Sequence, residues 1–156
     1  MRRLVIALAM GLIATIFGAA GPASAVEIGH EGCTPGYWKN HTEDWQEARP
    51  GTLFSDRFNA GTSGVLVGVT FQQALSGGGG SGVAGAERIL ARAATAAYLN
   101  AAHEGLGYPW RRHTQGLDGR QALVPTVQSA LLSSDRQTML ALAARLDADN
   151  NLGCPL

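Results

Sequence analysis

The chain has 156 residues, with 12 basic and 12 acidic side chains, two cysteines and 21 glycines. This length carries one domain rather than two of full size, and 46% hydrophobic residues suffice for a core, which excludes wholesale disorder. A formal net charge of zero removes the bulk electrostatic case for nucleic-acid binding.

The first segment reads as an address. Arg2 and Arg3 form a positive start, Leu4 to Phe17 is an uncharged apolar run of 14 residues, and Pro22 breaks it ahead of Ala23-Ser24-Ala25. This is the pattern of a secretory signal with cleavage after Ala25, leaving 131 residues from Val26 to Leu156. The competing reading is a retained anchor, but Leu4 to Ala20 is only 17 residues, the short limit for a membrane helix. No later segment is apolar enough to span a bilayer. The expected mature chain has 10 basic and 12 acidic groups, a net charge of −2, and a single lysine, Lys39. That balance argues against DNA or an anionic membrane surface as partner.

Val26 to Gly32 reads as an extended lead-in. Thr34 is placed to cap a helix that has Pro35 at its first position. Trp38, His41 and Trp45 fall at i, i+3 and i+7, so the spacing predicts one helical face ending before Arg49-Pro50-Gly51. Val65, Val67 and Val69 alternate with Leu66 and Gly68, which fits a short strand or a buried loop. Thr70 and Gln73 form a capping box for one short turn to Leu75. Ser76 to Gly85 is a glycine-rich loop.

Ala86 to His103 carries the clearest helical pattern. Ala86, Ile89, Leu90, Ala93, Ala97 and Ala101 make one apolar stripe, with Arg88, Arg92 and Thr95 on another face. Gly105 and Gly107 end it. Tyr108 to Asp118 is a loop. A helix then runs from Pro125, or a little earlier, to Leu132. The last helix has Ser134 as cap, Gln137 as its reciprocal partner, and Met139, Leu140, Ala143 and Leu146 as its core stripe. Asp147 to Gly153 is a polar terminator. The expected architecture is mainly α: a small single-domain bundle of four to five helices with long glycine-rich loops.

Cys33 and Cys154 bracket nearly all of this. In an oxidising compartment an isolated pair reads as a disulfide, here tying the two ends together. Metal ligation, a redox site or free thiols are the alternatives; the absence of Cys-x-x-Cys weakens the redox one.

The segment Cys33-Thr34-Pro35-Gly36-Tyr37-Trp38-Lys39-Asn40-His41, followed by Trp45, is distinctive, as is the ending Asn150-Asn151-Leu152-Gly153-Cys154-Pro155-Leu156. Together they resemble an uncharacterised family of exported bacterial proteins that opens on Cys-x-x-Gly-(Tyr/Phe)-Trp-Lys-x-His. The likeness covers nearly the whole expected mature chain. It implies export and a compact extracellular domain. It implies no established activity, so no catalytic residue carries over.

Two segments are candidate binding sites. In Tyr37, Trp38, Lys39, Asn40 and His41, aromatic faces can stack on sugars or clamp a peptide while Lys39 and Asn40 bond hydroxyls. The competing role is core packing around the disulfide. Trp110, Arg111 and Arg112, with Tyr108 and His113, could hold a phosphate, a glycan or an acidic peptide. They could equally be a loop laid over the helices.

Other patterns are weaker. Gly80 to Gly85 matches Gly-x-Gly-x-x-Gly, but no strand runs into it. Asp147, Asp149 and Asn151 mimic half a calcium loop without the required glycine and glutamate. His30, His41, His103 and His113 lack dedicated zinc spacing. No metal or other cofactor is expected, and no nucleophile elbow or His-Glu-x-x-His stands in the chain. The expected function is a secreted interaction or structural module whose partner is a cell-envelope glycan or another extracellular protein. The alternative is a small extracellular hydrolase using His41 with Glu43 or Asp44 beneath the Tyr108–His113 loop. The oligomeric state is left open.

Overall fold

The computed structural model describes residues 29–60, 64–111 and 119–156. The expected signal segment and its cleavage site lie outside these residues, as do Arg112 and His113. The described chain is mainly helical: α1 Pro35–Asn40, α2 Phe54–Phe58, α3 Phe71–Ser76, α4 Gly82–Ala102, α5 Gly119–Leu132 and α6 Arg136–Asn150. Two 3-10 turns, Thr42–Asp44 and Gly64–Leu66, complete the elements. Cys33 and Cys154 form the disulfide, with Cα atoms 4.5 Å apart. An isolated antiparallel bridge pairs Gly32 with Gly153 beside it. Gly32 must be glycine there, because a Cβ would collide with the Asp149 carbonyl at the end of α6.

Helix α4 is the axis. From Ala93 to Ala102 every residue is buried, so it is enclosed on all sides rather than along one stripe. The cause is its alanine content: small side chains let α1, α3, α5 and α6 approach from several directions. Thr95, off the expected apolar stripe, is therefore buried too, with no hydrogen-bond partner for its hydroxyl among the described residues. Helix α4 also starts earlier than its apolar pattern, at Gly82, and Gly85 allows the turn to close against Gly80. Helices α4 and α6 run parallel. Arg136 donates to the Gly82 carbonyl at 2.5 Å near their starts, and Asn100 meets Asn150 near their ends.

The α3 capping box forms as the sequence predicts, with Gln73 N–H on Thr70 and Thr70 N–H on Gln73. Other boundaries differ. The predicted first helix stops after Asn40, so Trp38, His41 and Trp45 do not share one helical face. Val65 to Val69 makes a 3-10 turn and loop, with Val67 exposed, rather than a strand. Helix α6 is capped by Asp135, which accepts from Thr138 N–H at 2.7 Å. The expected cap, Ser134, takes a left-handed conformation (φ 51°) in the turn leaving α5. Helix α6 then continues through Asp147 to Asn150 before it ends.

Helix α2 has no counterpart in the predicted elements. It buries Phe54 and Phe58, one turn apart, into an aromatic cluster with Phe71 and Tyr98. The Tyr98 ring stands edge-on to Phe58 and Phe71, centroids 5.9 and 5.4 Å away. That is the favoured aromatic geometry.

Candidate functional site

The Tyr37–His41 segment is built by its caps. Thr34 accepts from Tyr37 N–H at 3.1 Å and Pro35 presets the first turn, so a six-residue helix can start. A helix leaves its last four carbonyls without internal partners. Here side chains reach three of these, the carbonyls of Tyr37, Trp38 and Lys39, and that of Gly36 before them. Asn40 Nδ2 donates to Gly36 O at 3.0 Å, and His41 Nδ1 to Tyr37 O at 3.0 Å. Trp45 Nε1 donates to Trp38 O at 2.9 Å, and Gln72 Nε2 to Lys39 O at 3.1 Å. Because a carbonyl can only accept, the His41 contact puts the proton on Nδ1. The bonds to Trp38 O and Lys39 O stand in for those a longer helix would make, which is why α1 ends early.

Beneath α1 lies a buried amide network. Asn100 is fully buried and makes four hydrogen bonds. Its Oδ1 accepts from Cys33 N–H at 2.8 Å and Trp38 Nε1 at 3.0 Å. Its Nδ2 donates to Cys33 O at 2.8 Å and Asn150 Oδ1 at 2.9 Å. Asn150, also fully buried, accepts a second bond from the Tyr108 hydroxyl at 2.8 Å and donates to Ala93 O at 3.0 Å. Burial first, then the charge of Asp149, pushes the Tyr108 phenol well above its usual range, so it stays a donor. Asn100 uses its full donor and acceptor capacity and Asn150 makes three of four possible bonds, which lets polar groups sit in a core at little cost.

The predicted site residues therefore divide. Trp38 is fully buried in this network. Tyr37 and His41 are half-buried and stack on each other, ring centroids 4.2 Å apart. Lys39 and Asn40 are exposed. Trp110 is buried, donates to Asp149 Oδ2 at 2.8 Å and lies under the Arg145 guanidinium. Arg111 is half-buried and pairs with Glu104 at 3.2 Å. Arg112 lies outside the described residues. Trp110 reaches Asp149 near the end of α6 directly, and Trp38 is linked to Asn150 only through Asn100, both as packed side chains.

Of the two carboxylates that the hydrolase reading offers His41, Glu43 and Asp44, the second has another use. Asp44 accepts from the Tyr37 hydroxyl at 2.5 Å, while His41 Nδ1 faces the Tyr37 carbonyl. Burial and the Asp44 hydrogen bond raise the Tyr37 phenol to about 12. Among the described residues, no group of three or more His, Cys, Asp or Glu is placed to hold a metal ion. Asp147 and Asp149 are helical, so they form no calcium-type loop.

Sequence reasoning missed Asn100. The available signal was one amide inside an otherwise apolar run, Ala96-Ala97-Tyr98-Leu99-Asn100-Ala101-Ala102. Such a residue needs a buried partner set. No protein-family model, curated protein or solved structure matches this chain.

Proposed function

We propose that the chain is an exported interaction module of the resembled bacterial family, with its ends locked by the Cys33–Cys154 disulfide and a rigid polar edge on α1 for binding. The observation that carries this reading is the set of side-chain caps on α1. They hold the exposed Lys39 and Asn40 on a backbone fixed by Trp45, Gln72 and the core Trp38. Preorganised donors bind with less ordering cost than flexible ones. Lys39 offers three donors to hydroxyl or carbonyl oxygens, and the half-exposed Tyr37–His41 stack offers an aromatic flank suited to a sugar ring. The favoured partner is a cell-envelope glycan. The disulfide suits an oxidising compartment. No described helix is long and apolar enough to cross a membrane.

Retention of the oxidised protein on envelope polysaccharide tests the reading. Lys39→Ala is expected to lower retention several-fold without changing thermal stability, since Lys39 is exposed and Gln72 bonds its backbone carbonyl, which the variant keeps. No retention on any envelope glycan, or equal retention of the variant, would refute it.

A further inference from the structure

A second concave surface meets α1 at Pro35 and is lined by none of Tyr37, Lys39, Asn40 and His41. Between α4, α6 and the 77–79 loop is a cleft of about 310 Å³, the small end of ligand-binding pockets. Ile89, Ala93, Leu140 and Ala143 give it an apolar floor. Arg92 lines it from α4 and Asp147 from α6. Both are exposed, and neither side chain has a hydrogen-bond or ion-pair partner among the described residues. Arg92 is also the one exposed residue in the run from Leu90 to Ala102. Opposite charges thus flank one apolar cavity without neutralising each other.

We propose that this cleft binds a small zwitterion bearing an ammonium and a carboxylate beside an aliphatic group, as in a free aliphatic amino acid or a short aliphatic peptide. The planar guanidinium of Arg92 matches a carboxylate with two parallel N–H donors. The Asp147 carboxylate only accepts and so receives an ammonium. The aliphatic group covers the floor and removes it from water. Selection works by rejection as well. A simple anion meets the repulsion of Asp147, and a simple cation meets that of Arg92. The volume covers one or two residues of a ligand.

Calorimetric titration of the oxidised protein with leucine, dileucine, N-acetyl-leucine and leucinamide tests this. Leucine or dileucine is expected to bind with a Kd between about 10 μM and about 1 mM. Blocking the amine or the carboxylate is expected to weaken binding about tenfold or more, as loss of a charge-assisted contact does. Arg92→Gln removes the preference for leucine over leucinamide, and Asp147→Asn removes the preference over N-acetyl-leucine. Tighter binding of leucine identifies a free amino acid as the ligand class, and tighter binding of dileucine a peptide. No binding of either up to about 10 mM, or equal binding of the blocked forms, overturns the proposal. Lys39→Ala leaves these affinities unchanged, so this site and the α1 edge fail or succeed separately.

Discussion

Asn100 and Cys33 pair through both groups of the side-chain amide. Cys33 N–H donates to Asn100 Oδ1 and Asn100 Nδ2 donates to Cys33 O, each at 2.8 Å. The side chain imitates a neighbouring strand. It thereby joins the most buried helix to the cysteine that holds the far end of the chain. The two residues are 67 positions apart, so no local propensity creates the contact.

Asn100→Ala should therefore be among the most damaging single changes in the protein. It leaves the Cys33 N–H and C=O and the Trp38 indole N–H without their partner. Each unsatisfied buried group costs about 1–3 kcal/mol, and relaxation or entering water recovers part, so a loss of about 3–5 kcal/mol is expected. Urea unfolding should show this as a lower midpoint at unchanged slope.

Removing the disulfide is expected to cost a comparable amount. The loop between Cys33 and Cys154 spans a sequence separation of 121, for which the chain-entropy account gives about 4–5 kcal/mol. A Cys33→Ala/Cys154→Ala double variant should lose that much in the same urea assay. Because Cys33 is buried and Cys154 exposed, reductant has access from the Cys154 side. Reduction should thus reproduce the effect of the double variant.

The α1 caps make a smaller claim. Trp45→Phe keeps a ring against Phe71 but removes the side-chain donor to Trp38 O. A loss of about 1–2 kcal/mol is expected from the missing hydrogen bond and the reduced ring area. Amide exchange at His41 and Asp44, which close the end of α1 and the next turn, should accelerate in the variant.

These residues also explain what was legible in the sequence. Thr34-Pro35 and the Thr70–Gln73 capping box are local signals that the fold uses as read, and the alanine-rich α4 was legible as a helix though not in its start or its burial on all sides. The end of α1 was not legible, because Gln72 closes it from 33 residues away. Helix α2 is only five residues long, too short for periodicity to register. Ser134 and Asp135 are both good caps, and only the turn leaving α5 decides between them. The site candidates were found by residue type. Their division into buried Trp38 and Trp110 and exposed Lys39 and Asn40 depends on packing against Asn100 and α6. Arg92 and Asp147 were legible only as separate helical positions, and folding brings them to one cleft.

His103 gives the fold a pH dependence. Burial holds its imidazole below the usual 6.5, against the opposing pull of Asp44, and its Nδ1 accepts from Gly105 N–H at 3.1 Å. The unfolded chain takes up the proton near 6.5 while the folded one resists it. Stability is thus fully present above 6.5 and falls as pH drops through and below that value. His103→Gln should lose less stability than the parent between about pH 7.5 and about pH 5.5. Urea midpoints at the two values measure the difference, and equal losses would remove His103 as the cause.

The most direct test of the lock is hydrogen exchange at the Cys33 amide in the oxidised protein. The pairing with Asn100 predicts that this proton exchanges only by global unfolding, with the same free energy as Leu99 and neighbouring amides of α4. The Asn100→Ala variant should remove that protection relative to α4. A Cys33 amide that exchanges in the parent protein at the rate of an open loop, while α4 stays protected, would contradict the account.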